Sequence, residues 1–240
     1  MGSFPQSIVH YLPVTDHDER WGIVCTTAGY QNVPPGSPYP LTQHPDSYSF
    51  TRSRGRVLGE YQLLYIVSGQ GEFRSASSPA APVKAGTVVM LFPDEWHTYA
   101  PAPETGWEEW WVGFRGENID RRVAEGFFSP KTPLLHIGHS AGIVSCYQEI
   151  IRSAEEERKG FQQLVTGIVL HLLGSVLFKR DNLQYLDNPI VEKINRAREM
   201  MRRHIGDNLP PEEIARRLNI GYTWFRRTFR AYVGIAPAQY

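Results

Sequence analysis

The stretch from Tyr61 to Arg115 is a succession of short β-branched and aromatic runs broken by Gly and Pro, and few folds accommodate that pattern. Tyr61–Phe73 reads as two strands around a Gly69-Gln70-Gly71 turn. Val83–Pro93 reads as a turn and a strand, with Asp94–Tyr99 following. Gly106–Arg115 reads as a strand dense in tryptophan. Upstream, Trp21–Tyr30 reads as a strand and Val33–Pro40 as a loop, within a first 45 residues rich in turn signals. Short strands of this composition predict an antiparallel sandwich or barrel.

At Ala141 the period changes. Ile143, Val144, Tyr147, Ile150 and Ile151 fall on one face at helical spacing, ahead of the charged run Glu155–Lys159. After Gly160 a second stripe runs through Leu164, Val165, Ile168, Val169, Leu172, Leu173, Val176 and Leu177. Two helices of a hairpin follow, the second apolar over so wide a face that it must pack on something. Asp187-Asn188-Pro189 reads as a linker and a helix start. The expected class is α+β: a barrel over residues 1–138, a helical hairpin over 139–186 and an all-α module over 187–240.

The last module is a pair of short helices around a turn. Leu209–Ile220 supplies the first, with proline in its first turn, where the missing N–H costs little. Gly221 is expected to break the chain, and Tyr222–Arg230 begins the second. Ile214, Leu218, Phe225 and Phe229 point inward; Thr223, Arg226, Arg227 and Arg230 stay outside. Such an exposed helix with clustered arginines is what a helix-turn-helix lays in the major groove. Net charge is zero for the whole chain but uneven along it. Residues 189–240 hold ten Lys/Arg against five Asp/Glu, leaving residues 1–188 with fifteen against twenty. The positive half is the one that would meet phosphates.

Two cysteines, Cys25 and Cys146, argue for a reducing compartment and against a disulfide framework. Met1–Pro5 opens no secretory signal, and no uninterrupted apolar run approaches the roughly 18 residues that cross a bilayer. The expectation is a cytoplasmic protein with no membrane partner.

Gly234, Pro237 and Tyr240, spaced Gly-x-x-Pro-x-x-Tyr behind the second helix, resemble the signature of the AraC family of bacterial transcription regulators. Gly69-Gln70-Gly71, Gly86, Leu91-Phe92-Pro93, His97 and the Trp107–Phe114 strand resemble that family's sugar-sensing cupin domain, in the family's order. The resemblance implies an N-terminal jelly-roll barrel, a dimerising hairpin and a DNA-binding module continuing into a second helix-turn-helix. These 240 residues are therefore expected to be a piece that stops before it. It implies promoter DNA, a small-molecule effector and a second copy of the chain as partners. Thr223, Arg226 and Arg227 fall at base-reading positions, and Arg216, Arg217 and Arg230 look like phosphate contacts.

By match to the arabinose-responsive member of the family, Arg54, Tyr99, Glu109 and Trp111 fall at or near ligand-contacting positions, with Glu109 in place of a histidine. Tyr61, His97 and Trp107 are their expected neighbours. Strand alternation puts Trp107, Glu109 and Trp111 on one face and Glu108 and Trp110 on the other. Aromatic rings with a few charged groups suit a carbohydrate, so the effector is expected to be a sugar or oligosaccharide. Many cupins are metalloenzymes, but the ligand positions of their first motif hold Gln62 and lie near Arg56 and Leu58 here. His97 alone cannot hold a metal, which needs three or four converging ligands. No catalytic residue, metal or cofactor is expected. A cupin-fold isomerase or dioxygenase, or a carbohydrate-binding module, stands as the alternative.

Overall fold

The computed structural model describes residues 7–40, 53–183, 189–203 and 209–240. Asp187 and Asn188 of the linker read above lie outside those residues. The chain divides into two compact units, Met1–Asp181 and Asn182–Tyr240.

The described residues of the first unit form eight strands: β1 (Ser7–Tyr11), β2 (Val24–Val33), β3 (Tyr61–Ser75), β4 (Ala81–Lys84), β5 (Thr87–Leu91), β6 (His97–Pro101), β7 (Trp107–Arg115) and β8 (Leu134–His136). They pair antiparallel in the order β1-β2-β7-β3-β5-β8, with β4 and β6 on the far half of β3. Between strands lie α1 (Asp16–Glu19) and α2 (Glu117–Ala124), and after them the hairpin α3 (Ala141–Glu156) and α4 (Phe161–Asn182). The α+β class and antiparallel barrel are as the sequence predicts.

Gly69-Gln70-Gly71 is not a turn. β3 runs through it without reversing, pairing with β5 and β7 before it and with β4 and β6 beyond it. Glycine is required by close approach. A Cβ on Gly69 would lie 2.1 Å from the Gly106 carbonyl oxygen, one on Gly71 2.3 Å from that of Ala100, and Gly69 has φ +78. Sequence alone reads Gly-x-Gly as punctuation; here it lets one strand pass from one sheet to the other.

Alternation divides the apolar side chains between two cores. Leu63 and Tyr65 on β3, Val88 and Met90 on β5, and Trp110, Val112 and Phe114 on β7 pack with Ile143, Tyr147, Ile150, Val165, Val169 and Leu172 of the hairpin. Leu64 and Ile66, Val89 and Leu91, Trp107 and Trp111 face the barrel interior with Phe73, Val83 and Tyr99. The wide face of α4 is thus covered in part by its own barrel. Gln162 fixes the start of α4. Its amide donates to the carbonyls of Pro13 and Cys25 at 2.9 Å each and accepts from the Cys25 N–H at 3.0 Å. An 18-residue stretch of α4 reaches a mean hydropathy of 1.6, enough by length and composition to cross a membrane. Judging α4 by uninterrupted runs underrates it, because Gln, Thr, His and Gly punctuate an otherwise apolar helix. Its buried residues Val165, Val169, Leu172 and Val176 belong to the barrel's core.

The second unit holds α5 (Pro189–Arg203), α6 (Pro211–Arg217) and α7 (Tyr222–Val233), closed by a 3-10 turn at Pro237–Gln239. Ile194, Ala197, Ile214, Ala215, Phe225 and Phe229 are its core, with Leu218 and Trp224 half-buried against it. The break between α6 and α7 is made by Asn219, in the left-handed region at φ 51, rather than by Gly221, whose backbone is extended. The terminal signature has a physical role in this unit. Gly234 ends α7 at φ 90, Pro237 starts the 3-10 turn, and Tyr240 returns to stack edge-on at 5.5 Å from Phe229. The Tyr240 hydroxyl accepts from Arg202 at 3.1 Å and Arg198 at 3.3 Å, tying the turn to α5.

Candidate ligand cavity and recognition helix

A small cavity, open at its mouth, lies among Val9, Tyr11, Thr27, Gln31, Tyr39, Pro40, Arg56, Gln62, Tyr99, Glu109 and Trp111. Register explains why these residues meet. Gln31 lies directly opposite Glu109 across β2 and β7, and Leu64 opposite Trp111 across β3 and β7. Gln62, two residues before Leu64, therefore shares the face of Trp111, and Thr27 lies in the same wall next to a β2 bulge.

Glu109 is the most constrained group in this wall. One carboxylate oxygen accepts from the Tyr39 hydroxyl at 2.9 Å. The other has no hydrogen-bond partner of ordinary length among the described residues. Burial pushes its pKa up to about 7, against the lowering effects of Tyr39, Arg56 and the Trp107 indole. The side-chain oxygen of Gln31 is likewise buried without a partner among the described residues. Two acceptors thus lack donors in one small space, a costly arrangement unless something donates to them.

Arg56 brings donors into the cavity, but not to these two oxygens. Its guanidinium donates to the Tyr99 hydroxyl at 2.8 Å, to Gln62 at 3.4 Å and to Nε2 of His97 at 3.3 Å. His97 Nδ1 lies 3.0 Å from the Glu95 carbonyl, so the tautomer that fits has Nδ1–H donating and Nε2 accepting. Burial first, then the Arg56 charge, lowers the His97 pKa to about 4, so the ring is neutral at pH 7. His97 stacks on Tyr99 at 6.1 Å and anchors the arginine that enters the cavity.

The structure brings Tyr99, Glu109 and Trp111 together in the cavity. His97 and Trp107 stand one layer behind, Trp107 edge-on to Tyr39 at 5.7 Å. Arg54 and Tyr61 are elsewhere. Arg54 is exposed in a turn, where its carbonyl accepts from the Trp96 indole at 3.0 Å. Tyr61 is on the opposite face of β3, its hydroxyl donating to Asp120 at 2.8 Å. In place of these two stand Arg56 and Gln62. Tyr11, Thr27, Gln31 and Tyr39 complete the set that sequence reasoning missed. Gln31 and Gln62 were within reach of a parity argument from Trp111 and Glu109; Tyr39 was not, because it arrives from a loop. Among the described residues no three His, Cys, Asp or Glu side chains gather as a metal site would need.

In the second unit, Thr223, Arg226, Arg227 and Arg230 line one shallow groove with Tyr222, Ala231 and Gly234 along α7. All four are exposed or half-exposed while Phe225 and Phe229 are buried, so the helix separates its faces as the spacing predicts. Arg216 and Arg217 lie on α6, both bonded to Glu213.

Comparison with known proteins matches residues 35–173 to the family described as AraC-like ligand binding domain. The Msm operon regulatory protein of Streptococcus mutans is 21% identical over 187 residues, a match spanning 77% of this chain and 66% of that protein. Among solved structures, ToxT from Vibrio cholerae, bound to a methylnaphthalenyl butenoic acid, is 9% identical, covering 98% of this chain and 97% of ToxT, with a TM-score of 0.29. A cupin-family protein with a double-stranded β-helix fold from Methanocaldococcus jannaschii is 14% identical, covering 50% of this chain and 93% of that one, with a TM-score of 0.32. The family match, not these structural scores, carries the assignment, and it is to a domain of regulators rather than to an enzyme. Since that match takes in more than half of the sequence, the chain belongs to the AraC family of regulators through its AraC-like ligand binding domain.

Proposed function

We propose that this chain is a cytoplasmic, ligand-responsive transcription regulator whose barrel senses a sugar and whose C-terminal helices read promoter DNA. One observation carries the sugar reading. Glu109 and Gln31 present buried acceptors that find no hydrogen-bond donor among the described residues, beside the Arg56 guanidinium and the Trp111 ring. A sugar offers the complement: hydroxyls that donate to the carboxyl and the amide, ring oxygens that accept from arginine, and an apolar face for the indole. Other features support a homodimer. Leu164 and Phe178, on the side of α4 turned away from the barrel, are 54% and 69% exposed. A second copy covering that side would bury them.

The test is a thermal-shift panel of monosaccharides. A ligand at 100 times its Kd stabilises the folded chain by about 2.7 kcal/mol. We expect one sugar to raise the Tm selectively and Trp111→Ala to cut the shift by more than half. A folded chain unmoved by the whole panel rejects the sugar reading. For the DNA half, Arg226→Ala with Arg227→Ala is expected to weaken binding to the cognate promoter by about tenfold or more, since a bidentate arginine–guanine contact contributes about 1–3 kcal/mol. Unchanged promoter affinity in a gel-shift assay would remove α7 as the reading helix.

A further inference from the structure

α6 carries two arginines, and one carboxylate holds both. Glu213 accepts from Arg216 through Nε at 2.7 Å and a terminal nitrogen at 2.8 Å, and from Arg217 Nε at 2.7 Å. All three residues are on one seven-residue helix, at spacings that place their side chains side by side. Resting on the DNA reading above, we infer that Glu213 is a specificity-determining residue: it occupies the arginine heads of α6 and so limits sequence-independent attraction to the phosphate backbone.

The argument is electrostatic. Sequence-independent affinity grows with each phosphate neutralised, through release of condensed counterions. Base contacts on α7 do not share that dependence. A carboxylate that engages two cations removes one net charge from the surface that phosphates would meet and ties up three of its best-directed donors. The two arginines hold the Glu213 pKa down at about 2, so the restraint is present at every physiological pH. Glu212, its neighbour, is a different case: its carboxylate raises the Tyr222 pKa, whereas both α6 arginines bond Glu213. A bland role competes with this one. Glu213 is third in α6, where an acid also favours the helix N-terminus.

The experiment is fluorescence anisotropy of this full chain on a labelled 30-base-pair duplex of arbitrary sequence, across a salt series, with Tm measured for each variant. One additional neutralised phosphate multiplies affinity by about eightfold at 0.1 M salt and steepens the log–log salt slope by about 0.9. E213Q is therefore expected to bind about five- to tenfold tighter than wild type, and Glu213→Ala to move the same way. E212Q, with the same change in formal charge, is expected to shift affinity less than half as much. Arg216→Gln with Arg217→Gln is expected to weaken binding. E213Q binding no tighter than E212Q, while the double arginine variant still weakens, overturns the inference and leaves the DNA reading intact; a lower Tm would then show the helix-end role. A double variant as tight as wild type shows that α6 meets no phosphate and removes the basis of the inference. A wild-type chain without affinity for the duplex overturns both.

Discussion

Between pH 4.5 and about 8, wild-type protein is expected to lose about 3 kcal/mol of stability that a Glu109→Gln variant keeps. The sign follows from the direction of the shift. Glu109 has its pKa raised from 4.5 to about 7 by burial inside the barrel. Below 4.5 the carboxyl is protonated both folded and unfolded, and burial costs nothing extra. Above 4.5 the unfolded chain releases the proton freely while the folded chain retains it, so unfolding gains ground with each step in pH. Past about 7 the folded carboxyl ionises too, and the loss levels off. A shift of this size corresponds to about 3 kcal/mol at about 1.4 kcal/mol per unit. Glutamine has no proton to lose, so subtracting the two stability curves cancels every other titrating group. Urea melts at closely spaced pH values measure the difference directly. Parallel curves for wild type and Glu109→Gln would mean that water reaches the carboxyl and that the cavity is not a dry site. The same titration bears on sensing. A sugar hydroxyl donating to the Glu109 oxygen that Tyr39 does not reach stabilises the ionised form, so effector affinity should rise with pH through this window and be flat in Glu109→Gln.

How much of this was legible in the sequence depends on what fixed each feature. The α4 stripe, the Phe225/Phe229 core and the alternation of Trp107, Glu109 and Trp111 are periodic, and period survives folding because it is a property of the backbone. Hence the barrel, the hairpin and the exposed arginines of α7 were readable in advance. Gly69-Gln70-Gly71 was misread because glycine serves both chain reversal and close approach, and only the packed neighbours Gly106 and Ala100 decide which. Asn219 made the break expected of Gly221 because asparagine also tolerates the left-handed conformation, and its place is set by where α6 stops. Tyr61 and Gln62 were exchanged by a single step of strand register, which turns a side chain to the opposite face. Tyr39 carries no periodic signal. It reaches Glu109 from a loop between β2 and β3, a contact across 70 residues that no local pattern encodes.

Arg56→Met is expected to weaken effector binding by about a hundredfold or more, whereas Arg54→Met should leave it within about twofold. The two positions lie two residues apart ahead of β3, and the local backbone tells them apart. Gly55, at φ +64, turns the chain beneath the Trp96 ring, leaving no room there for a Cβ and sending Arg54 outward. Arg56 then pairs through its backbone with His97, donating at 2.9 Å and accepting at 3.0 Å, which aims its side chain inward. Once inside, it is held on three sides by Tyr99, Gln62 and His97. A hydrogen bond to a charged group contributes about 1.5–3 kcal/mol, and an arginine already fixed in place loses little freedom when it makes one. Met keeps the length and apolar bulk, so the loss reports the guanidinium rather than a hole. Because Arg56 also lowers the Glu109 pKa, its removal should push that pKa further up and move the pH dependence of stability to a higher range, a second readout independent of ligand. Calorimetric titration of the effector identified by thermal shift decides the matter. A large loss at Arg54→Met with Arg56→Met unaffected would place the ligand outside this cavity, near the Trp96 turn, and the sensor would have to be sought there.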